Sequence, residues 1–168
     1  MGSGVSGRYY TSYGSRAIHH EGIIHSFEGE YTIKDGNPAR LKKGGHGQVA
    51  IDVMDANGIK YEVNKTYSNG VRVGNIPNAK QKIKHEGNNH SWFPKSWTDK
   101  TVIAASEYVL SLKKNAGACD GQQITGTYKG VKVIAWVGKN GIDSIYPDAK
   151  SQPSKRRHDK IVHERAVM

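Results

Sequence analysis

Two histidines set the chemistry that this chain could perform. His25 lies in His25-Ser26-Phe27-Glu28-Gly29-Glu30, and His46 sits between glycines in Lys42-Lys43-Gly44-Gly45-His46-Gly47. An imidazole can take or give a proton near neutral pH, so two of them can act as base and acid in one reaction. The glycines let the backbone turn and come close to a ligand. Lys84 adds fixed positive charge at the start of a later loop, while Ser144 and Tyr146 lie two apart on a strand and place two hydroxyls on one face. Taken alone, the glycine–histidine loop reads first as a solvated turn, because single short motifs match by chance. Taken with the lysine and the tyrosine, the set suits cleavage of RNA by its own ribose 2′-hydroxyl. One histidine would remove the 2′ proton and the other would protonate the leaving 5′ oxygen. The lysine would stabilise charge on the phosphorane. The products would be a 2′,3′-cyclic phosphate and a 5′-hydroxyl. The RNA supplies the nucleophile, so this route needs no metal and no cofactor, and DNA is no substrate. There is no carboxylate cluster and no His-Glu-x-x-His.

The bulk composition agrees with a polyanionic partner. The 168 residues carry 25 Lys and Arg against 15 Asp and Glu, a net charge of +10, which favours RNA, DNA or an acidic protein. The length suits one domain with a real core. Hydrophobic residues make up only 36% and glycines number 20, which suits a loop-rich α+β or mostly β domain rather than a helical bundle. Cys119 is the one cysteine, so the fold does not depend on an internal disulfide and no cysteine cluster can hold zinc. No apolar run reaches the length of a membrane span.

The elements that must position these groups follow from the turn residues. Residues 1–20, rich in Gly, Ser and Tyr, read as a flexible leader, and His19 and His20 at its end read as solvated. Residues 21–148 form the domain, and 149–168 a basic tail. Alternation in 48–54 and 59–65 predicts two strands joined at Asn57-Gly58, so that His46 stands where a loop enters a strand. Val71-Arg72-Val73 predicts a short strand. Residues 79–84 suit an edge strand whose lysines discourage pairing, and 85–95 a polar loop. The one confident helix starts near Ser96-Trp97-Thr98-Asp99, a capping-box pattern, with Val102, Ile103, Tyr108, Val109 and Leu112 at helical spacing. Residues 122–128, 131–137 and 142–146 predict three strands, the middle one apolar on both faces around Ile134 and Trp136.

Four segments, in order over about residues 23–148, resemble the bacterial EndoU-type endoribonucleases, seen as C-terminal toxin domains of contact-dependent growth inhibition and other polymorphic toxin systems. The chain is more distantly similar to the uridylate-specific endoribonuclease of coronaviruses. His25 with Gly29-Glu30 resembles the first histidine motif, and Gly44-Gly45-His46 the second. Phe93-Pro94-Lys95-Ser96-Trp97-Thr98 resembles a Phe-Pro-Asp-Ser-Trp helix start, with Lys95 in place of the aspartate. Ser144-Ile145-Tyr146-Pro147 resembles a closing Thr-x-Tyr-Pro, with serine replacing threonine.

The resemblance implies a compact α+β fold of the barnase/EndoU/colicin/RelE kind, a twisted antiparallel sheet with a packed helix. It implies that His46 is the general base, His25 the general acid and Lys84 the catalytic lysine, with Lys82 as the alternative register. Tyr146 joins them, and Ser144, Gly45 and Lys43 bind substrate. It further implies a monomer that cuts RNA, at uridine and with tRNA among the candidate substrates. No cofactor is expected, although some relatives respond to manganese. A toxin of this kind would act in the cytoplasm of a target cell after delivery in a larger secreted protein, and an acidic immunity protein would cover its cleft. Two other readings stand beside this one: a catalytically silent RNA-binding domain of the same fold, and a metal-dependent nuclease using His85, Asn89 and His90. His85 and His90 themselves read as polar loop residues.

Overall fold

Glycine turns cut this chain into short elements, and the computed structural model describes residues 17–154 of it. In order these are α1 (His20–Ile23), continued by a π-helical turn (Ile24–Glu28), then β1 (Glu30–Lys34), β2 (Asn37–Lys43), α2 (Gln48–Ala56), β3 (Glu62–Thr66) and β4 (Arg72–Asn75). A 3-10 turn (Lys82–Lys84), β5 (His90–Trp92), α3 (Asp99–Ser111) and a second 3-10 turn (Lys113–Asn115) follow, and β6 (Gln123–Tyr128), β7 (Val131–Gly138) and β8 (Gly141–Pro147) end the fold. The class is α+β. The strands form three small antiparallel sheets, β1-β2, β3-β4-β5 and β6-β7-β8, rather than one continuous sheet. Of the expected leader (1–20) and tail (149–168), residues 1–16 and 155–168 lie outside the described residues.

The last sheet and α3 carry the larger core. Val131, Val133, Ala135 and Val137 alternate on the buried face of β7, the central strand, against Ile124 of β6 and Ile142 and Ile145 of β8. Helix α3 lays Val102, Ala105 and Val109 on this face, and Phe93 and Trp97 stack in the same cluster, 5.1 Å between centroids. A second cluster gathers Leu41, Ile51, Met54, Ile59, Ile76, Ala79 and Trp92. Trp92 and Phe93 are consecutive yet lie in different clusters, because successive strand side chains face opposite ways. Strand β5 is therefore the seam between the two cores.

Several expected elements are corrected. Residues 48–56 are helix, not strand: Ala50, Ile51 and Met54 are the buried set, at helical spacing, while Val49 and Val53 are half-buried. Asn57-Gly58 is accordingly the end of α2 and not a hairpin, with Gly58 at φ 67°, the left-handed conformation that closes helices. The strand expected over 59–65 survives as β3, whose five residues are all exposed at a sheet edge. Residues 79–84 are a turn, and their burial inverts the expected pattern: Ile83 is 67% exposed and Lys84 7%. The polar loop 85–95 contains β5, buried at all three positions. The cap of α3 is Thr98, paired reciprocally with Thr101, because Trp97 turns back into the core. Trp136 is not a core residue, being 40% exposed on the face of β7 opposite its valines. At the ends, Ile18 bridges to Ile142 and is buried, and Gln152 bonds to the backbone of Lys132.

The stacked Phe93 is a fixed point of the larger core. Phe93→Ala is expected to cost about 3–5 kcal/mol in urea unfolding, the usual loss for a buried aromatic.

Candidate active site

The two histidine segments are zipped together by backbone alone. Gly45 N–H donates to the His25 carbonyl (2.9 Å), His46 N–H to that of Ser26 (2.7 Å) and Gly47 N–H to that of Phe27 (2.9 Å). The approach is close enough to require glycine. Gly44 has φ 65°, and a Cβ there would collide with the His25 carbonyl oxygen; a Cβ on Gly47 would strike the Phe27 ring. The π-helical turn presents these carbonyls outward in place of a regular helix end. Ser26, fully buried, accepts from Ile145 N–H on β8 through its hydroxyl (3.0 Å), and Phe93 N–H donates to the His46 carbonyl (2.7 Å). The first histidine, the second histidine, β5 and β8 thus meet at one place. His46 opens helix α2 through Gly47, rather than a strand.

At this junction lies a cavity of about 290 Å³ lined by His25, Lys43, Gly44, His46, Gln81, Lys84, Asn89, Ser91, Trp136, Ser144, Tyr146 and Ala149. The cavity thus brings together His25, His46, Lys84, Ser144, Tyr146 and Lys43. Gly45 is not among its walls: it packs against Gly29 and Leu41, and the glycine that lines the cavity is Gly44, one residue earlier. Lys82 is exposed and also absent from the cavity, whereas Lys84 is buried and lines it. Ser144 and Tyr146 share a face of β8, opposite Trp136 and Ile134 of β7.

The hydrogen bonds assign the protons. His46 Nδ1 donates to the Ser91 carbonyl (2.7 Å), since a carbonyl can only accept, and the neutral ring keeps its lone pair on Nε2. Burial, and then the neighbouring His90 and Lys84, push its pKa well below the usual histidine value. His25 instead pairs through Nδ1 with the Glu30 carboxylate (2.8 Å), which orients the ring. Lys84 donates to His90 Nδ1 (3.0 Å) and, at longer range, to the Gly44 carbonyl (3.4 Å), and burial lowers its pKa to about 8. Tyr146 stacks on the His46 ring at 5.1 Å, and its hydroxyl accepts from Trp136 Nε1 (2.9 Å).

Three contributors were missed in the sequence. Trp136 was legible in principle, because the period of two on β7 separates it from Val133, Ala135 and Val137. Ser91 acts through its carbonyl, which residue type does not reveal. His90 is a correction: it is fully buried, not a polar loop residue, with Nε2 donating to the Gly45 carbonyl (2.9 Å). Both its nitrogens are bonded, so it has no lone pair for a metal, and His85 spends Nε2 on the Ala79 carbonyl. Among the described residues, no group of three or more His, Cys, Asp or Glu is placed to hold a metal ion. Nor, among those residues, is any helix long and apolar enough to cross a membrane.

A family model described as bacterial EndoU nuclease matches residues 19–149. No curated protein and no solved structure matches the chain.

Gly44→Ala tests the junction. It is expected to destabilise the protein by more than ~1 kcal/mol, the cost of the left-handed conformation for a residue with a Cβ. Amide hydrogen exchange at Gly45, His46 and Gly47 is expected to accelerate more than that of the central strand β7.

Proposed function

The chain belongs to the bacterial EndoU nuclease family, and on that premise we propose that it is an endoribonuclease that cuts RNA by attack of the ribose 2′-hydroxyl. The products are 2′,3′-cyclic phosphate and 5′-hydroxyl ends. The observation that carries this reading is the pairing of two histidines with opposite hydrogen-bond partners on one cavity with a buried ammonium. His46, neutral and bare at Nε2, takes the 2′ proton. A phosphate in the cavity adds negative charge beside that ring and raises its basicity toward the working range. His25, held by Glu30, gives a proton to the departing 5′ oxygen. Lys84 stabilises the phosphorane, where a charge with little water around it acts strongly.

The other walls position the substrate. Tyr146 braces the base, Ser144 offers a hydroxyl to the nucleobase or ribose, and Lys43, exposed at the rim, meets an outlying phosphate. A uridine preference and a tRNA substrate come from the family resemblance, as does the role of an interbacterial toxin delivered to a target cell's cytoplasm. The net charge of +10 supports a polyanionic substrate and, for a monomeric toxin, an acidic immunity protein. No step of this mechanism passes through a metal.

Two measurements test the reading. In total RNA incubated with a chelator, the protein is expected to produce discrete fragments with 2′,3′-cyclic phosphate ends, and His25→Ala and His46→Ala are each expected to abolish them. Lys84→Ala is expected to lower kcat by about 10²–10³-fold, the cost of removing one charge-stabilising donor, and Lys82→Ala to leave it close to wild type. Full activity in His46→Ala would remove the mechanism; binding without cleavage in the wild type would leave a silent RNA-binding domain. The pH profile supplies the second test. The ammonium of Lys84 is present below its lowered pKa and is lost above it, so kcat is expected to fall as pH rises through about 8. A rate that holds to pH 10, near the ordinary lysine value, would take Lys84 out of the reaction.

A further inference from the structure

We propose that His90 is a positioning residue of this site, whose unprotonated Nδ1 holds the Lys84 ammonium in place. The inference rests on the endoribonuclease reading, in which Lys84 and His46 are working groups.

The hydrogen bonds leave one protonation state for His90. An ammonium only donates and a carbonyl only accepts, so Nδ1 accepts from Lys84 and Nε2–H donates to Gly45. Lysine ends a flexible stem of four carbons, and fixing it costs rotamer freedom. Its three N–H groups have one good acceptor in His90 and a longer one in the Gly44 carbonyl, which leaves the third for the cavity that Lys84 lines. His90 is itself rigid. It is fully buried on β5, in a paired strand, and its ring meets that of Trp92 edge-on at 4.7 Å. The other contact is with His46: the rings stack at 4.5 Å with 10° between planes. One buried ring therefore touches both the charge-stabilising group and the base.

The charged and titratable groups around it are Lys84, His46, and beyond His46 the His25–Glu30 pair and Tyr146. Protonation of His90 would remove the acceptor and set a second cation against Lys84. Burial and Lys84 both oppose that, so the ring stays neutral where the enzyme works.

Two substitutions separate positioning of Lys84 from mere packing. In His90→Asn the amide oxygen falls near the place of Nδ1 and can accept from Lys84. In His90→Gln the amide N–H falls near the place of Nε2 and can donate to Gly45, but the lysine loses its acceptor. We expect His90→Gln to lower kcat at least tenfold with KM little changed. Its alkaline limb should move down by about one pH unit, because an ammonium that loses a hydrogen bond gives up its proton more readily. His90→Asn is expected to recover most of both losses. A side-chain NMR titration of Lys84 should show the same downward shift in the Gln variant and not in the Asn variant. Activity retained in Gln and lost in Asn would show that the ring only ties down the glycine loop, and wild-type behaviour in both would also overturn the proposal. If the wild-type protein cleaves no RNA, the endoribonuclease reading falls. The Lys84 titration then decides the positioning role by itself, since a shift equal in both variants would refute it.

Discussion

The arrangement of this molecule depends on the backbone ladder between Ser26 and its neighbours and the Gly44–Gly47 loop. Two histidines twenty-one residues apart in the chain (25 and 46) are brought together by peptide groups rather than by their own side chains. This has a chemical benefit. A side chain used as a structural strut is not available to move protons, whereas main-chain bonds leave each ring to bond as its role requires. The constraint falls on glycine, since at Gly44 and Gly47 any Cβ would occupy space already filled by His25 or Phe27.

From that junction the rest of the fold reads as support. Strand β5 lies between two hydrophobic clusters and contributes to the site by every available means: the His90 ring, the Ser91 carbonyl and, next to it, the Phe93 N–H. Strand β8 is held to the first histidine segment through the Ser26 hydroxyl and delivers Ser144 and Tyr146. The Ser91 hydroxyl donates to the Pro147 carbonyl (2.7 Å), so β5 and β8 are also bonded to each other behind the cavity. Hydrophobic packing fixes where β5 lies, and hydrogen bonds then fix which tautomer each imidazole adopts.

The electrostatics follow from burial. A lysine and two histidines are buried together in one small space, and each makes it harder for the next to carry charge. The result is one ammonium beside two neutral rings near neutral pH, with the remaining imidazole assigned to a carboxylate at the cavity's edge. A negative group entering that space would favour the charged forms of all three side chains.

Which chemical groups this protein owns, and in what order, was determined by the sequence. His25, His46, Lys84, Ser144 and Tyr146 could be named from residue type, spacing and resemblance. The strands β6 to β8 and helix α3 could be placed because period-two and helical patterns of apolar residues are local signals. Where two local signals coincide, only the tertiary structure decides. Val49-Ala50-Ile51 fits either period, and Asn57-Gly58 fits either a hairpin or a helix end; packing of Ile51 and Met54 in the second core settled both as helix. Burial of polar side chains is the other tertiary decision. Nothing local distinguishes Lys84 from Lys82, or His90 from His85, because what buries Lys84 and His90 is a glycine loop some forty residues away. Local sequence specifies what a side chain can do; only long-range contact specifies whether water still surrounds it, and here that decides its charge.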